Sequence, residues 1–116
     1  LVGSEMCIRD SIPMAFQKAK ERYASFGVAT SLPPELIDTF WEIIDHYLKG
    51  VFPLNNLLVF KLIKNKQYLS YEYIDRKRGL RIVFDYKASF DPFYPKTIYI
   101  VDNSGIETIL LPHEIN

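Results

Sequence analysis

Two histidines, one cysteine and a short run of carboxylates are the residues of this 116-residue chain whose chemistry is most readily put to use. Asp38, Glu42 and Asp45 stand at i, i+4 and i+7, which lines them along one face of a helix. Three carboxylates on one face offer hard oxygen ligands to a divalent cation. A helix that buries its other face must be polar here in any case, and the plainer reading is a solvated outer face. Zinc needs three or four ligands. His46 and His113 form no His-x-x-x-His pair, and a site would have to recruit acids such as Asp45 and Glu114 from distant positions. Gly27, Gly50, Gly79 and Gly105 are isolated, so there is no glycine-rich phosphate loop, and no Gly-x-Ser-x-Gly elbow occurs. The expectation is a protein that is not an enzyme, with no catalytic residues, no metal and no cofactor.

Two constellations suit binding better than catalysis. Arg76, Lys77 and Arg78, with Arg81 beyond them, are the one basic concentration, and Tyr68, Tyr71 and Tyr73 precede them. Cations interleaved with aromatic rings can hold single-stranded nucleic acid by phosphate contact and stacking. The competing reading is a solvated turn with the tyrosines packed in the core. The second constellation is Phe90-Asp91-Pro92-Phe93-Tyr94-Pro95. Loops are usually polar, whereas this one carries Phe90, Phe93 and Tyr94 between prolines that stiffen it. A rigid apolar loop can dock a partner, or it can fold back over one end of the core. The first expectation is therefore a binding module with a protein partner on Phe90, Phe93 and Tyr94. The alternative is a nucleic-acid-binding accessory protein using Arg76, Lys77, Arg78 and Arg81.

The elements that must position these residues follow from periodicity. Residues 14–21 favour helix but are few. Arg22 to Thr30, with Tyr23, Phe26, Val28 and Thr30, reads as a first strand, in which Gly27 marks a bulge or a close backbone approach. Ser31-Leu32-Pro33-Pro34-Glu35 opens a helix, with Ser31 or a neighbour as cap and proline in the first turn. Leu36, Ile37, Phe40, Trp41, Ile44, Tyr47 and Leu48 form its apolar face, and Gly50 and Pro53 stop it. The period then changes to two. Strands are expected at Leu57–Lys64, Gln67–Asp75, Leu80–Lys87, Lys96–Asp102 and Ile106–Leu111, with turns at Asn65-Lys66, at residues 76–79 and at Asn103-Ser104-Gly105. Short, evenly spaced strands pair antiparallel with their neighbours. A helix with one apolar face must bury it on the sheet. The fold class expected is α+β: one domain, one main amphipathic helix on an antiparallel sheet of five or six strands, in the order strand, helix, meander.

Composition limits the alternatives. Fourteen basic residues balance fourteen acidic ones, so no global charge draws the chain to nucleic acid or an anionic membrane. The longest apolar runs, such as Leu57-Leu58-Val59-Phe60, fall far short of the roughly 20 residues that a spanning helix needs, so no membrane partner is expected. An open sheet leaves edge strands on which a second copy could pair to give a homodimer. Residues 1–11, Leu1 to Ser11, resemble the accidental translation of a sequencing-library adapter and are set apart from the domain over 12–116. Cys7 goes with them, which leaves no thiol and fits a reducing cytoplasm.

Taken together, several pieces resemble one family. They are Arg22-Tyr23, Gly27-Val28, Leu32-Pro33-Pro34-Glu35-Leu36, and Trp41 followed by Ile44-Asp45. Leu58-Val59-Phe60, the Ile98-to-Asp102 strand and Leu110-Leu111-Pro112 before Glu114 continue the match. In this order and spacing the chain is similar to the small proteins grouped as domain of unknown function 960, from Gram-positive bacteria and their phages. The likeness spans roughly residues 22–116 and is weakest over 76–95. At the end of the pattern His113 takes a place where the family usually has a small residue. The resemblance implies a bacterial or phage cytoplasmic setting and carries no activity.

Overall fold

The computed structural model describes Phe16 and residues 20–115. The adapter-like stretch 1–11 and most of the helix-favouring residues 14–21 lie outside the described residues. The first described strand is β1 (Glu21–Ala24). It is followed by α1 (Phe26–Ser31) and α2 (Pro34–Ile43), with a widened helical turn over Ile44–Leu48. Five strands come next: β2 (Leu57–Asn65), β3 (Tyr68–Asp75), β4 (Leu80–Tyr86), β5 (Thr97–Asn103) and β6 (Ile106–Leu110). A 3-10 turn over Pro112–Glu114 ends the described chain.

The six strands form one sheet in the order β1-β6-β5-β2-β3-β4. The hairpins and the β2–β5 pair are antiparallel, as neighbouring short strands should be. The β1–β6 pair is parallel, with Glu21 opposite Ile106 and Ala24 opposite Ile109. The sheet is therefore mixed, and the all-antiparallel expectation needs this correction. Its cause is topological. The chain leaves β1 through two helices and returns to the sheet at β2, which runs the same way; a crossover of this kind joins parallel strands. β5 and β6 later fill the gap, so the strand beside β1 is the one farthest from it in sequence. For the same reason β5 returns to the far side of β2 and the order is not a simple meander.

A second correction concerns Arg22–Thr30. Only Glu21–Ala24 is strand, and Phe26–Ser31 is helix. Val28 and Thr30 favour extended chain, but Ser25 overrides them: its hydroxyl accepts the Val28 amide at 3.2 Å and caps the helix. Pro33 then forbids continuation, since the residue before a proline is pushed out of the helical region, and Leu32 is extended. Ser31 thus ends α1 rather than capping α2. Pro33 occupies the cap position of α2 without a side-chain bond, and Pro34 begins the helix.

Leu36, Phe40, Ile43, Ile44 and Leu48 are buried on the sheet. Below them lie Leu58, Phe60 and Leu62 of β2, Leu69, Tyr71 and Tyr73 of β3, and Ile98 and Ile100 of β5. Phe40 is the hub, edge-on to Phe60 at 5.3 Å and to Tyr71 at 4.7 Å. Edge-to-face pairs of this kind add about 0.5–1.5 kcal/mol beyond burial. The Tyr71 hydroxyl donates to the Leu36 carbonyl at 3.1 Å, so the polar end of the ring is satisfied inside the core. The β2–β3 hairpin turns at Lys66-Gln67, one residue later than expected, with Lys66 at φ 58°.

Candidate functional site

In the loop after β4 the three aromatic rings do different work. Phe90 and Tyr94 are half-buried, pack against the core and meet edge-on at 6.3 Å between ring centres. They hold the loop down. Phe93 points away and is 93% exposed. Asp91 shapes the turn between them: its Oδ1 accepts the Phe93 amide at 2.9 Å and its carbonyl accepts the Tyr94 amide at 2.9 Å. Of the residues Phe90, Phe93 and Tyr94 singled out by sequence, one is displayed and two are supports.

The basic turn is less basic than it reads. Arg78 Nη1 donates to Asp75 Oδ2 at 2.9 Å, and Arg81 pairs with buried Glu72 across the β3–β4 ladder. Asp75 Oδ1 also accepts the amides of Lys77 and Arg78, at 3.1 and 3.3 Å, which fixes the turn. Arg76 and Lys77 are exposed, and neither forms an ion pair among the described residues. Tyr71 and Tyr73 are in the core on the opposite face of the sheet and are not available to stack on a base.

The acidic row along α2 and the widened turn after it is divided. Asp38 and Glu42 are exposed, whereas Asp45 is engaged by Arg22 through two bonds, Nη1–Oδ2 at 2.8 Å and Nη2–Oδ1 at 2.5 Å. Arg22 Nε also donates to Glu107 Oε1 at 2.8 Å, and its guanidinium lies 4.7 Å from the centre of the Trp41 ring. One arginine on β1 thus ties the helix to β6. Asp45 holds its proton less tightly than usual because Arg22 bonds to it. Burial pushes the Glu107 carboxyl up, with Arg22 pulling the other way. Glu107 is fully buried, and its Oε2 has no hydrogen-bond partner among the described residues. No group of three His, Cys, Asp or Glu side chains arranged to hold a metal occurs among the described residues. Sequence reasoning missed this cluster because Arg22, Asp45 and Glu107 come from three elements. The signal that could have found it is Glu107, an acid at an inward position of a strand otherwise marked by Ile109.

A further knot joins the two ends of the described chain. Glu114 Oε1 accepts the Ser25 hydroxyl at 2.6 Å and the Leu111 amide at 2.8 Å, while Oε2 accepts the Gly27 amide at 3.2 Å. These donors hold the carboxyl below its ordinary pKa, the Ser25 bond foremost. Gly27 leaves room for this approach. A methyl group there would lie 2.8 Å from Leu111 Cδ1 and 2.9 Å from Glu114 Oε2. The close backbone approach expected at Gly27 is real, although it occurs in a helix and not in a strand.

No helix among the described residues is long and apolar enough to cross a membrane. A comparison with curated proteins finds no match. Among solved structures, the chain is similar to a protein of unknown function from Enterococcus faecalis, at 43% identity and a TM-score of 0.80, covering 83% of this chain and 91% of that one. The family model described as staphylococcal protein of unknown function, DUF960, matches residues 21–114. The match runs from the start of β1 to Glu114 and so takes in the whole sheet, both helices and the carboxylate that joins the two ends: the chain belongs to the DUF960 family.

Proposed function

We infer that this chain is a non-catalytic module of the bacterial or phage cytoplasm that binds a protein partner through Phe93. The observation that carries the reading is the loop geometry: a ring 93% exposed, on a turn shaped by Asp91 and anchored from both sides by Phe90 and Tyr94. An aromatic side chain held ready in this way loses little conformational entropy on docking, and such rings dominate protein interfaces. The nucleic-acid alternative is weaker on two counts: Arg78 and Arg81 are spent on Asp75 and Glu72, and two of the three tyrosines are core. A second copy pairing on the open edge of β4 is compatible with the module reading and would show as a dimer in sedimentation.

Affinity capture with the wild-type chain and with Phe93→Ser tests the proposal. The expected result is a stoichiometric protein retained by the wild type and lost from the variant, with the thermal midpoint unchanged because Phe93 buries almost nothing. Equal retention by both proteins would remove Phe93 from the interface. A fall in midpoint would show that the ring is structural.

A further inference from the structure

The face of the sheet away from α2 carries a cleft of about 300 Å³ beside the basic turn. Its floor is a row across three adjacent strands. Val59 of β2 stands opposite Ile74 of β3 on one side and opposite Tyr99 of β5 on the other, and Leu57 lies one step along β2. Strands about 4.8 Å apart make this row about 10 Å wide. Asn55, Arg76 and Lys77 line the end of the cleft. Arg76 and Lys77 follow directly on the end of β3, in the turn that borders the cleft. The acid at this end, Asp75, is already satisfied by two amides and Arg78, and Arg81 beyond Ile74 is committed to Glu72. The charge left at the mouth is therefore that of Arg76 and Lys77, above an apolar floor, in a volume at the lower end of the range of small-molecule sites.

We propose that this cleft binds a small organic anion whose flat or aliphatic body covers Val59, Ile74 and Tyr99 while its carboxylate or phosphate head meets Arg76 and Lys77. Asn55 adds an amide that can donate to the same head. The site is separate from the Phe93 loop, and Phe93→Ser leaves it intact.

The test follows backbone amide chemical shifts of the full chain during titration with 1-naphthoate, 1-naphthyl phosphate and the neutral 1-naphthylmethanol. The expected result is saturable binding of the two anions, with shifts centred on Val59, Ile74, Arg76, Lys77 and Tyr99. The alcohol binds at least roughly tenfold more weakly, the share of one charge-assisted hydrogen bond. Whichever anion binds more tightly identifies the head group. Arg76→Ala with Lys77→Ala brings both anions down to the level of the alcohol, and it leaves the thermal midpoint in place because both side chains are exposed. Absence of saturation, shifts centred elsewhere, equal affinity for the alcohol, or an unaffected double variant would each overturn the proposal.

Discussion

Glu107 is the residue at which burial and charge pull in opposite directions. Its side chain is out of contact with solvent, one oxygen is bonded to Arg22 and the other has no partner among the described residues. A buried polar atom without a partner is expensive, and more so when charged. Its folded pKa lies above the ordinary 4.5, so between 4.5 and that raised value the folded state holds more proton than the unfolded one. Stability must then fall as pH rises through this window and recover as pH drops back. Glu107→Gln keeps the acceptor for Arg22 and removes the charge. At pH 7 it is expected to be as stable as the wild type or more so, with the difference closing as pH approaches 4.5 in parallel denaturant titrations. A clear loss at pH 7 would mean that the pairing with Arg22 outweighs the cost of burial. Glu114 behaves in the opposite sense: its depressed pKa means that its contribution is complete above 4.5 and fades below it.

At the scale of elements, α1 depends on a residue type that is usually a fault in a helix. Glycine costs up to about 1 kcal/mol relative to alanine in a helix interior, and less in the first turn, where Gly27 stands; Gly27→Ala is nonetheless expected to destabilise. The added methyl group would crowd Leu111 and a carboxylate held by three donors, and such overpacking costs about 1–3 kcal/mol. The net effect is a loss of about 1 kcal/mol in chemical denaturation. In a Glu114→Ala background the loss should shrink, since the two sites share the contact. How legible each element was in the sequence follows the same physics. β2, β4 and β5 alternate with period two over seven to nine residues each, and α2 repeats its apolar face over nearly three turns, so these elements announce themselves. The six residues of α1 are too few to show a period, and its β-favouring side chains point the wrong way until Ser25 and Glu114 are seen together. Four residues of β1 cannot name their partner. The aromatic loop was legible as a loop, but the division between Phe93 and its two supports is a property of packing. The cleft takes its floor from three strands, and of its lining only Arg76 and Lys77 stood out in the sequence.

On the scale of the whole molecule, contacts between the first and the last described elements close the structure. Arg22–Glu107, Ser25–Glu114 and Phe16–Asp102 span 85, 89 and 86 residues. A chain ending at Leu110 retains every strand but loses Leu111 and Glu114. Hydrogen exchange should then find β1 and α1 deprotected, with β2 and β3 still protected at the centre of the sheet. Equal protection throughout would show that the closing contacts are dispensable. Long-range contacts of this kind are also expected to form late, because the loop entropy is lost before they reward it.

The parallel placement of β1 against β6 has a consequence for synthesis. Glu21 is made about 85 residues before Ile106, its partner in the register, so β1 has nothing to pair with until Ile106–Leu110 has emerged. A polypeptide that stops before residue 106 leaves β1 unpaired and Ser25 without its carboxylate, and it is expected to be cut by proteases faster than the folded chain.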